Sequence, residues 1–171
     1  MQQLIYYMWY VLENYERNEE LQYVVDNVEM YFVPCINPDG YVYNELTDPN
    51  GGGMHRKNRR NVGTNNKGVY LNRNYSYEYG GAGTSGNPNS DTYKGTGPFS
   101  EPETQAMEWF VINNNFKITL NYHSYADALL FPWGYEDNFQ CPDHDLLTNL
   151  TDYLTQENNY DNYQSALLYE A

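Results

Sequence analysis

The chain alternates segments of helical periodicity with short apolar runs of strand length, and this alternation limits its fold more than any other feature. Residues 3–16 repeat apolar side chains at spacings of three and four, as on one face of a helix. Residues 28–36 form an apolar run typical of a buried strand, and residues 117–123 alternate like a second strand. The pattern indicates an α/β fold in which helices are layered against a sheet.

Further elements are expected in the second half of the chain. A capping box over residues 100–103, with Pro102 in the first turn, predicts a helix that runs to about Asn113. Residues 128–133 are apolar enough for a short strand, and residues 143–156 favour a last helix.

Turns and long loops separate these elements. The sequence Asn-Pro-Asp-Gly at residues 37–40 has strong turn chemistry. Residues 47–68 and 76–99 are long loops, which in a compact domain are usually functional or mobile. Since no repeat or linker is visible, we expect one domain over residues 1–171.

The charge of the chain excludes some classes of partner. Its formal net charge is −14, so nucleic-acid phosphates and anionic lipid should repel it. The apolar stretch at residues 4–12 is too short to span a bilayer and lacks the flanks of a signal peptide. We therefore expect neither a nucleic acid nor a membrane as partner, and the chain shows no export signal.

Arginine is scarce and clustered. The chain has nine Lys and Arg, and four of them fall in the sequence Arg-Lys-Asn-Arg-Arg at residues 56–60. Arg73 follows, between Asn72 and Asn74. Arginine offers a planar fork of donors that suits carboxylates and oxyanions. Two interpretations stay open at this point, an anion-binding site and a solvated basic loop that pairs with surface acids.

Histidine gives a weaker signal. The three histidines are His55, His123 and His144, and none has a Glu three residues later or a His four residues later. A catalytic zinc site takes about three protein ligands. The residues alone therefore offer one candidate metal ligand, His123 at the end of a predicted strand, where a lone histidine is more often structural than a ligand.

Six short motifs occur in an order and at separations that resemble the zinc carboxypeptidases related to the digestive A and B enzymes. They are Asn37-Pro38-Asp39-Gly40-Tyr41, Arg56-Lys57-Asn58-Arg59-Arg60, Leu71-Asn72-Arg73-Asn74, Tyr93-Lys94-Gly95 before Ser100-Glu101-Pro102-Glu103, His123-Ser124-Tyr125 and Phe131-Pro132-Trp133-Gly134-Tyr135. Each is weak alone, but together they cover essentially the whole chain. The resemblance implies a three-layer helix/mixed-sheet/helix α/β fold and a Zn²⁺-dependent enzyme that removes C-terminal residues from peptides.

The resemblance also implies roles in the reaction. His123 is similar to the family's third zinc ligand. Arg56 is similar to the arginine that polarises the scissile carbonyl and stabilises the oxyanion, where charge develops in the transition state.

Four further residues resemble the family's substrate-binding residues. Asn72 and Arg73 match the pair that holds the terminal carboxylate of the substrate, so the implied partners are peptide or protein C-termini. Ser124 and Tyr125 match part of the wall for the preceding substrate residues, and the peptide bond between them is cis in the family.

The chain also departs from the family pattern. The family's His-x-x-Glu zinc-ligand pair and its catalytic Glu near the C-terminus are absent, so the chain resembles a catalytic domain truncated at both ends. Tyr70 stands where the family usually has an Asp that orients a zinc-binding His, and His55 stands where it usually has Trp. Gly134, where the regulatory branch usually has Asp, points to the A/B-like branch. We expect the isolated chain to be inactive.

Functions from different classes therefore stay open. One is a zinc metallocarboxypeptidase, and another is a pseudo-peptidase that keeps the carboxylate clamp and binds peptides without a metal. A third is a purely structural α/β domain. A His-x-x-Glu pair in flanking sequence would favour the enzyme. We further expect the protein that contains this chain to be secreted or periplasmic, and the chain itself to self-associate through exposed sheet edges.

Overall fold

The structure is a computed structural model that describes residues 1–124, 126–136 and 138–168. The chain divides into two compact units, Met1–Arg59 and Arg60–Ala171. Among the described residues, no helix is both long and apolar enough to cross a membrane. The single domain expected over residues 1–171 stays a prediction.

The first unit is built from helices. These are α1 (Gln2–Asn14), α2 (Glu19–Asn27) and α3 (Pro38–Thr47). Helix α1 confirms the prediction for residues 3–16, whereas α2 was not predicted. It begins after Asn18, whose side chain accepts hydrogen bonds from the N–H groups of Glu20 and Leu21. This cap satisfies donors that have no partner inside the helix.

Two expectations for the first unit are wrong. Residues 28–36 form no strand in the described structure. An apolar run fulfils the side-chain preference of a strand, but a ladder also needs a second backbone at its side. The turn expected at residues 37–40 is instead the start of α3. Asn37 caps that helix, and Pro38 occupies its first turn, where the missing N–H costs nothing.

The second unit contains the described sheet. Its helices and strands are α4 (Pro102–Ile112), β1 (Ala128–Phe131), α5 (His144–Thr155) and β2 (Asp161–Gln164), with 3₁₀ turns at Leu71–Arg73 and Ser165–Leu168. Strands β1 and β2 pair in parallel, with Ala128 opposite Asp161 and Phe131 opposite Gln164. Because parallel strands cannot be joined by a tight turn, α5 forms the crossover and packs against both strands. The predicted α/β class is confirmed.

Most of the helices and strands expected in the second unit are present. The helices over residues 100–113 and 143–156 and the strand over residues 128–133 are confirmed, although the strand ends at Phe131. The strand over residues 117–123 is wrong, since these residues form no ladder in the described structure.

The capping box over residues 100–103 is also wrong. The N-cap of α4 is Glu101, and no side chain caps this helix. Ser100 Oγ instead donates to Glu101 Oε1 at 2.8 Å. Pro102 does lie in the first turn, as expected.

The two long loops are confirmed. Residues 48–70 and 76–99 contain no helix or strand apart from an isolated bridge between Ser85 and Tyr93. The buried apolar residues of the second unit lie largely beside these loops. They are Val69, Tyr70, Leu71, Tyr93, Phe131, Cys141 and Ala166.

Candidate functional site

Arg56 lies on a loop of the first unit that two asparagines of the α3 region hold in place. Asn37 Nδ2 donates to the carbonyl oxygens of Lys57 (3.1 Å) and Arg56 (3.4 Å). Asn44 donates to the carbonyl oxygen of His55 (2.8 Å) and accepts from its N–H (3.0 Å). The backbone is thus fixed on both sides of Arg56, whose side chain is exposed.

The close approach of helix and loop depends on a glycine. Gly40 is buried, and a Cβ at this position would lie 2.7 Å from the carbonyl oxygen of Lys57. Real Cβ atoms essentially never come so close to a backbone oxygen. Any larger residue would therefore push the loop that carries Arg56 away from α3.

His55 and Arg59 pack around Tyr43 within the same unit. The His55 ring meets the Tyr43 ring edge-on at 4.7 Å, and the guanidinium carbon of Arg59 lies 3.7 Å from the Tyr43 ring centroid. Burial lowers the pKa of His55, and the positive charges of Arg59 and Lys57 lower it further against the opposing effect of the Asn58 carbonyl. Burial and the neighbouring cations therefore favour the neutral form of the His55 ring, which packs against Tyr43 in this loop.

The second unit presents Asn72 and Arg73 side by side on the 3₁₀ turn Leu71–Arg73. Arg73 Nε donates to the Gly83 carbonyl oxygen (3.1 Å), and Nη1 donates to the Asn72 carbonyl oxygen (3.0 Å). The guanidinium carbon lies 5.4 Å from the centroid of the Tyr70 ring. A guanidinium has five N–H donors, so these two bonds orient the group and leave three donors for an external acceptor.

Asn74 holds this turn in place through the hydrogen bonds of its side chain. Its side chain is fully buried, and Nδ2 donates to the carbonyl oxygens of Lys94 (2.8 Å) and Gly97 (3.0 Å). Its Oδ1 accepts from Thr104 Oγ1 (2.7 Å) in α4. One side chain thereby joins the Arg73 turn to the loop at residues 76–99 and to α4.

The other charged residues of the basic cluster have distinct surroundings. Arg60 Nη1 forms an ion pair with Glu101 Oε1 at 2.6 Å, and the Glu101 side chain is fully buried. Lys57 is also buried, and Arg59 stacks on Tyr43. The cluster is therefore neither a uniform anion-binding site nor a solvated loop, because most of its members contribute to packing and pairing.

Two of the remaining predicted site residues lie in a segment without regular structure. His123 and Ser124 are exposed there. Tyr125, and with it the expected cis bond after Ser124, lies outside the described residues.

The described residues do not by themselves fit a zinc ion. Across residues 1–124, 126–136 and 138–168, no three His, Cys, Asp or Glu side chains form a group that could hold a metal. Three ligands of this kind are the usual minimum for catalytic zinc.

Sequence reasoning missed several supporting residues. Gly83 accepts from Arg73 across ten positions, and no local pattern reveals such a contact. Asn37 and Asn44 could have been found, because they stand seven positions apart and that spacing places two residues on one face of a helix. Tyr70, first noted as a departure from a family pattern, lies under the Arg73 guanidinium.

Comparison with known proteins adds a family context. The zinc carboxypeptidase family model matches residues 1–170. Carboxypeptidase O from Bos taurus is 39% identical over 137 residues, which cover 76% of this chain and 35% of that protein. The chain spans about a third of the length of the curated relatives it matches.

Solved structures show the same likeness. The crystal structure of thrombin activatable fibrinolysis inhibitor matches with a TM-score of 0.85 and 27% identity, over 96% of this chain and 42% of that chain. The bovine form of that protein, in complex with tick carboxypeptidase inhibitor, matches with a TM-score of 0.83 and 28% identity, over 96% of this chain and 56% of that chain.

Proposed function

Since the chain belongs to the zinc carboxypeptidase family, we propose that the protein containing it removes C-terminal residues from peptides. The observation that carries this proposal is the geometry of Arg73. A side chain that selects a free C-terminus must carry a positive charge, be held in a fixed orientation and keep hydrogen-bond donors available for the substrate carboxylate. Arg73 meets that need in a chain where arginine is scarce.

The fixed orientation of Arg73 lowers the entropy that its side chain would lose on binding a carboxylate. Its bonds to Gly83 and Asn72 remove much of the rotational freedom that a long side chain would lose on binding. The tyrosine ring below it supports the cation without using its hydrogen-bond donors. A carboxylate can then accept two parallel N–H bonds, and the exposed amide of Asn72 can add another donor.

Arg56 is proposed to act on the scissile carbonyl. Its backbone is held through Asn37 and its side chain is exposed. A positioned guanidinium lowers the barrier by stabilising negative charge as it develops on the carbonyl oxygen. The hydrogen bonds and the close glycine contact that fix this loop would reduce the cost of reorganisation during the reaction.

Three further residues, His123, Ser124 and Tyr125, have proposed roles in the whole protein. His123 is proposed as one ligand of Zn²⁺ in the whole protein, and Ser124 and Tyr125 as part of the wall that contacts the preceding substrate residues. The described residues do not by themselves form a zinc site, so the other ligands would have to come from outside them.

The clamp can be tested with Arg73→Lys in the full-length protein. Lysine keeps the charge but cannot offer the planar fork. Hydrolysis of a free-acid peptide should fall by about 10- to 100-fold, since a hydrogen bond to a charged group contributes about 1.5–3 kcal/mol. Hydrolysis of the matching amidated peptide, which lacks the carboxylate, should change little. The measurement is kcat/KM for both peptides with wild type and variant.

Arg59→Lys is the matched control. Arg59 also lies against a tyrosine ring, but it has no proposed contact with substrate. This variant should keep the wild-type ratio between the free-acid and amidated peptides. If Arg73→Lys slows both peptides by the same factor, Arg73 does not bind the terminal carboxylate and the proposal fails at its central point.

A pseudo-peptidase that binds C-termini without hydrolysing them is the second candidate. Tyr70 favours it, because a buried phenol cannot supply the carboxylate that orients a zinc-binding histidine in the family. Zinc analysis of the dialysed full-length protein distinguishes the two. Retained zinc with peptide hydrolysis supports the enzyme, and peptide binding without zinc supports the pseudo-peptidase.

A further inference from the structure

Two Asn-X-Ser/Thr sequences, the acceptor motif for N-linked glycans, occur in the chain. One is Asn74-Tyr75-Ser76, and the other is Asn149-Leu150-Thr151. The motif alone does not distinguish between them. Their surroundings in the structure are opposite.

Asn74 cannot carry a glycan in the folded protein. It is fully buried, and its Nδ2 donates to Lys94, Gly97 and Ser100. A glycan would replace one of the amide protons that these bonds use, and it would need space where the structure has none. A Cβ on the neighbouring Gly95 would already lie 2.7 Å from Asn74 Nδ2.

Asn149 has the surroundings that a glycan needs. It lies on α5 and is exposed, and its side-chain amide makes no hydrogen bond within the described residues. The residues three and four positions away on either side share its helix face. They are Asp145, Leu146, Asp152 and Tyr153, and all four are exposed.

The apolar side chains on this helix face give a second reason why a glycan suits Asn149. Leu146 is 66% exposed and Tyr153 is 69% exposed, one turn before and one turn after Asn149. Water contact with such side chains is unfavourable, and neighbouring apolar residues on a surface promote association. A sugar chain attached between them would cover both.

We propose that Asn149 is an N-glycosylation site and that its glycan shields the exposed face of α5. In the transfer step, Nδ2 of Asn149 attacks the anomeric carbon of a lipid-pyrophosphate-linked oligosaccharide. The C–N bond forms, the bond from the anomeric carbon to the phosphate oxygen breaks, and the amide loses one proton as the lipid pyrophosphate leaves. Thr151 supplies the hydroxyl of the motif during transfer to the unfolded chain; in the folded chain it is buried and donates to the Thr148 carbonyl oxygen.

The test is expression of the full-length protein behind a cleavable secretion leader in a eukaryotic host. Secreted and lumenal pools are both analysed by peptide mapping and by mass before and after peptide-N-glycosidase treatment. We expect a glycan on the peptide that contains Asn149 and none on the peptide that contains Asn74. Asn149→Gln should remove the glycan, and Thr151→Ser, which preserves the motif, should retain it.

Ser76→Ala is the matched control, because it destroys the other motif at an exposed position without altering buried Asn74. It should leave the glycan mass unchanged. An unmodified Asn149 in both translocated pools would overturn the proposal. So would a glycan on Asn74 in folded, secreted protein, because the structure would then have assigned the wrong acceptor.

Discussion

At the scale of the residue, Asn74 holds more of the candidate site together than any of the residues expected to touch substrate. Its amide satisfies backbone and side-chain groups of two other segments of the second unit, the loop at residues 76–99 and α4. Buried polar groups that lose a partner cost free energy because no water replaces the bond. The position of Arg73 therefore depends on a neighbour that never meets the substrate.

Replacing Asn74 by Ala should lower the free energy of unfolding by about 3 kcal/mol, since several buried or partly buried partners lose their hydrogen bonds at once. Asn72→Ala, two positions away and exposed, should change it by less than about 0.5 kcal/mol. Urea unfolding of both variants measures the difference. Equal effects of the two substitutions would show that the Asn74 network contributes little to stability.

His55 should make stability depend on pH. Its pKa in the folded chain lies below the ordinary value of 6.5, chiefly through burial. The unfolded chain therefore binds the proton more readily, so stability falls as the pH drops below about 6.5. The His55→Gln variant lacks this titrating group. The difference in free energy of unfolding between wild type and variant should be constant above pH 7.5 and should move against wild type between pH 6.5 and 5. A constant difference across the whole range would contradict the assignment.

At the scale of the element, helix α3 holds the loop that carries Arg56 in position. Its N-cap residue makes two kinds of hydrogen bond. Asn37 Oδ1 accepts from the N–H of Gly40 at 3.0 Å, and Nδ2 donates to the loop that carries Arg56. Asn18 caps α2 in the same manner, but its side chain makes no hydrogen bond to a loop within the described residues. The two helices thus offer a comparison of one cap residue in two settings.

Asn18→Ala should cost about 1 kcal/mol, the usual value for a lost N-cap. Asn37→Ala should cost about 2 kcal/mol or more, because a cap and the bond to the Lys57 carbonyl are lost together. The second variant should also speed hydrogen exchange of the amides at residues 55–58, and the first should not. Chemical unfolding and hydrogen exchange check both expectations, and similar results for the two variants would show that α3 does not brace the loop.

At the scale of the whole molecule, exposed apolar surface dominates the behaviour expected of this chain. Large apolar side chains are exposed in both units, among them Leu12 (72%), Leu46 (77%) and Ile112 (74%). Surface of this kind is covered in stable proteins by further chain or by a partner. The net charge of −14 opposes close approach of two copies, but salt screens that repulsion.

We therefore expect the isolated chain to self-associate, and more strongly at 0.5 M NaCl than at 0.05 M. Light scattering over a concentration series gives the apparent mass at each salt concentration. Full-length protein is the control and should associate less if its additional residues cover these side chains. A monomer at high protein and salt concentration would show that the exposed surface does not drive association.

The sequence alone determined the features that depend on neighbours along the chain. The helices over residues 3–16, 100–113 and 143–156 were predictable because helical hydrogen bonds are local and the apolar spacing records them. The ordered motifs were enough to indicate the family. In the Arg73 motif, they also singled out the residues that the structure presents side by side on one turn.

Tertiary structure decided the features that depend on contacts between residues far apart in the sequence. Residues 28–36 and 117–123 have the composition of strands but no ladder in the described structure, because pairing depends on a second segment that sequence spacing does not specify. The contact of Arg73 with Gly83 and the burial of Asn74 are of the same kind. Local chemistry set which residues could serve at the site and as a glycan acceptor, and packing determined which of them are held, buried or exposed.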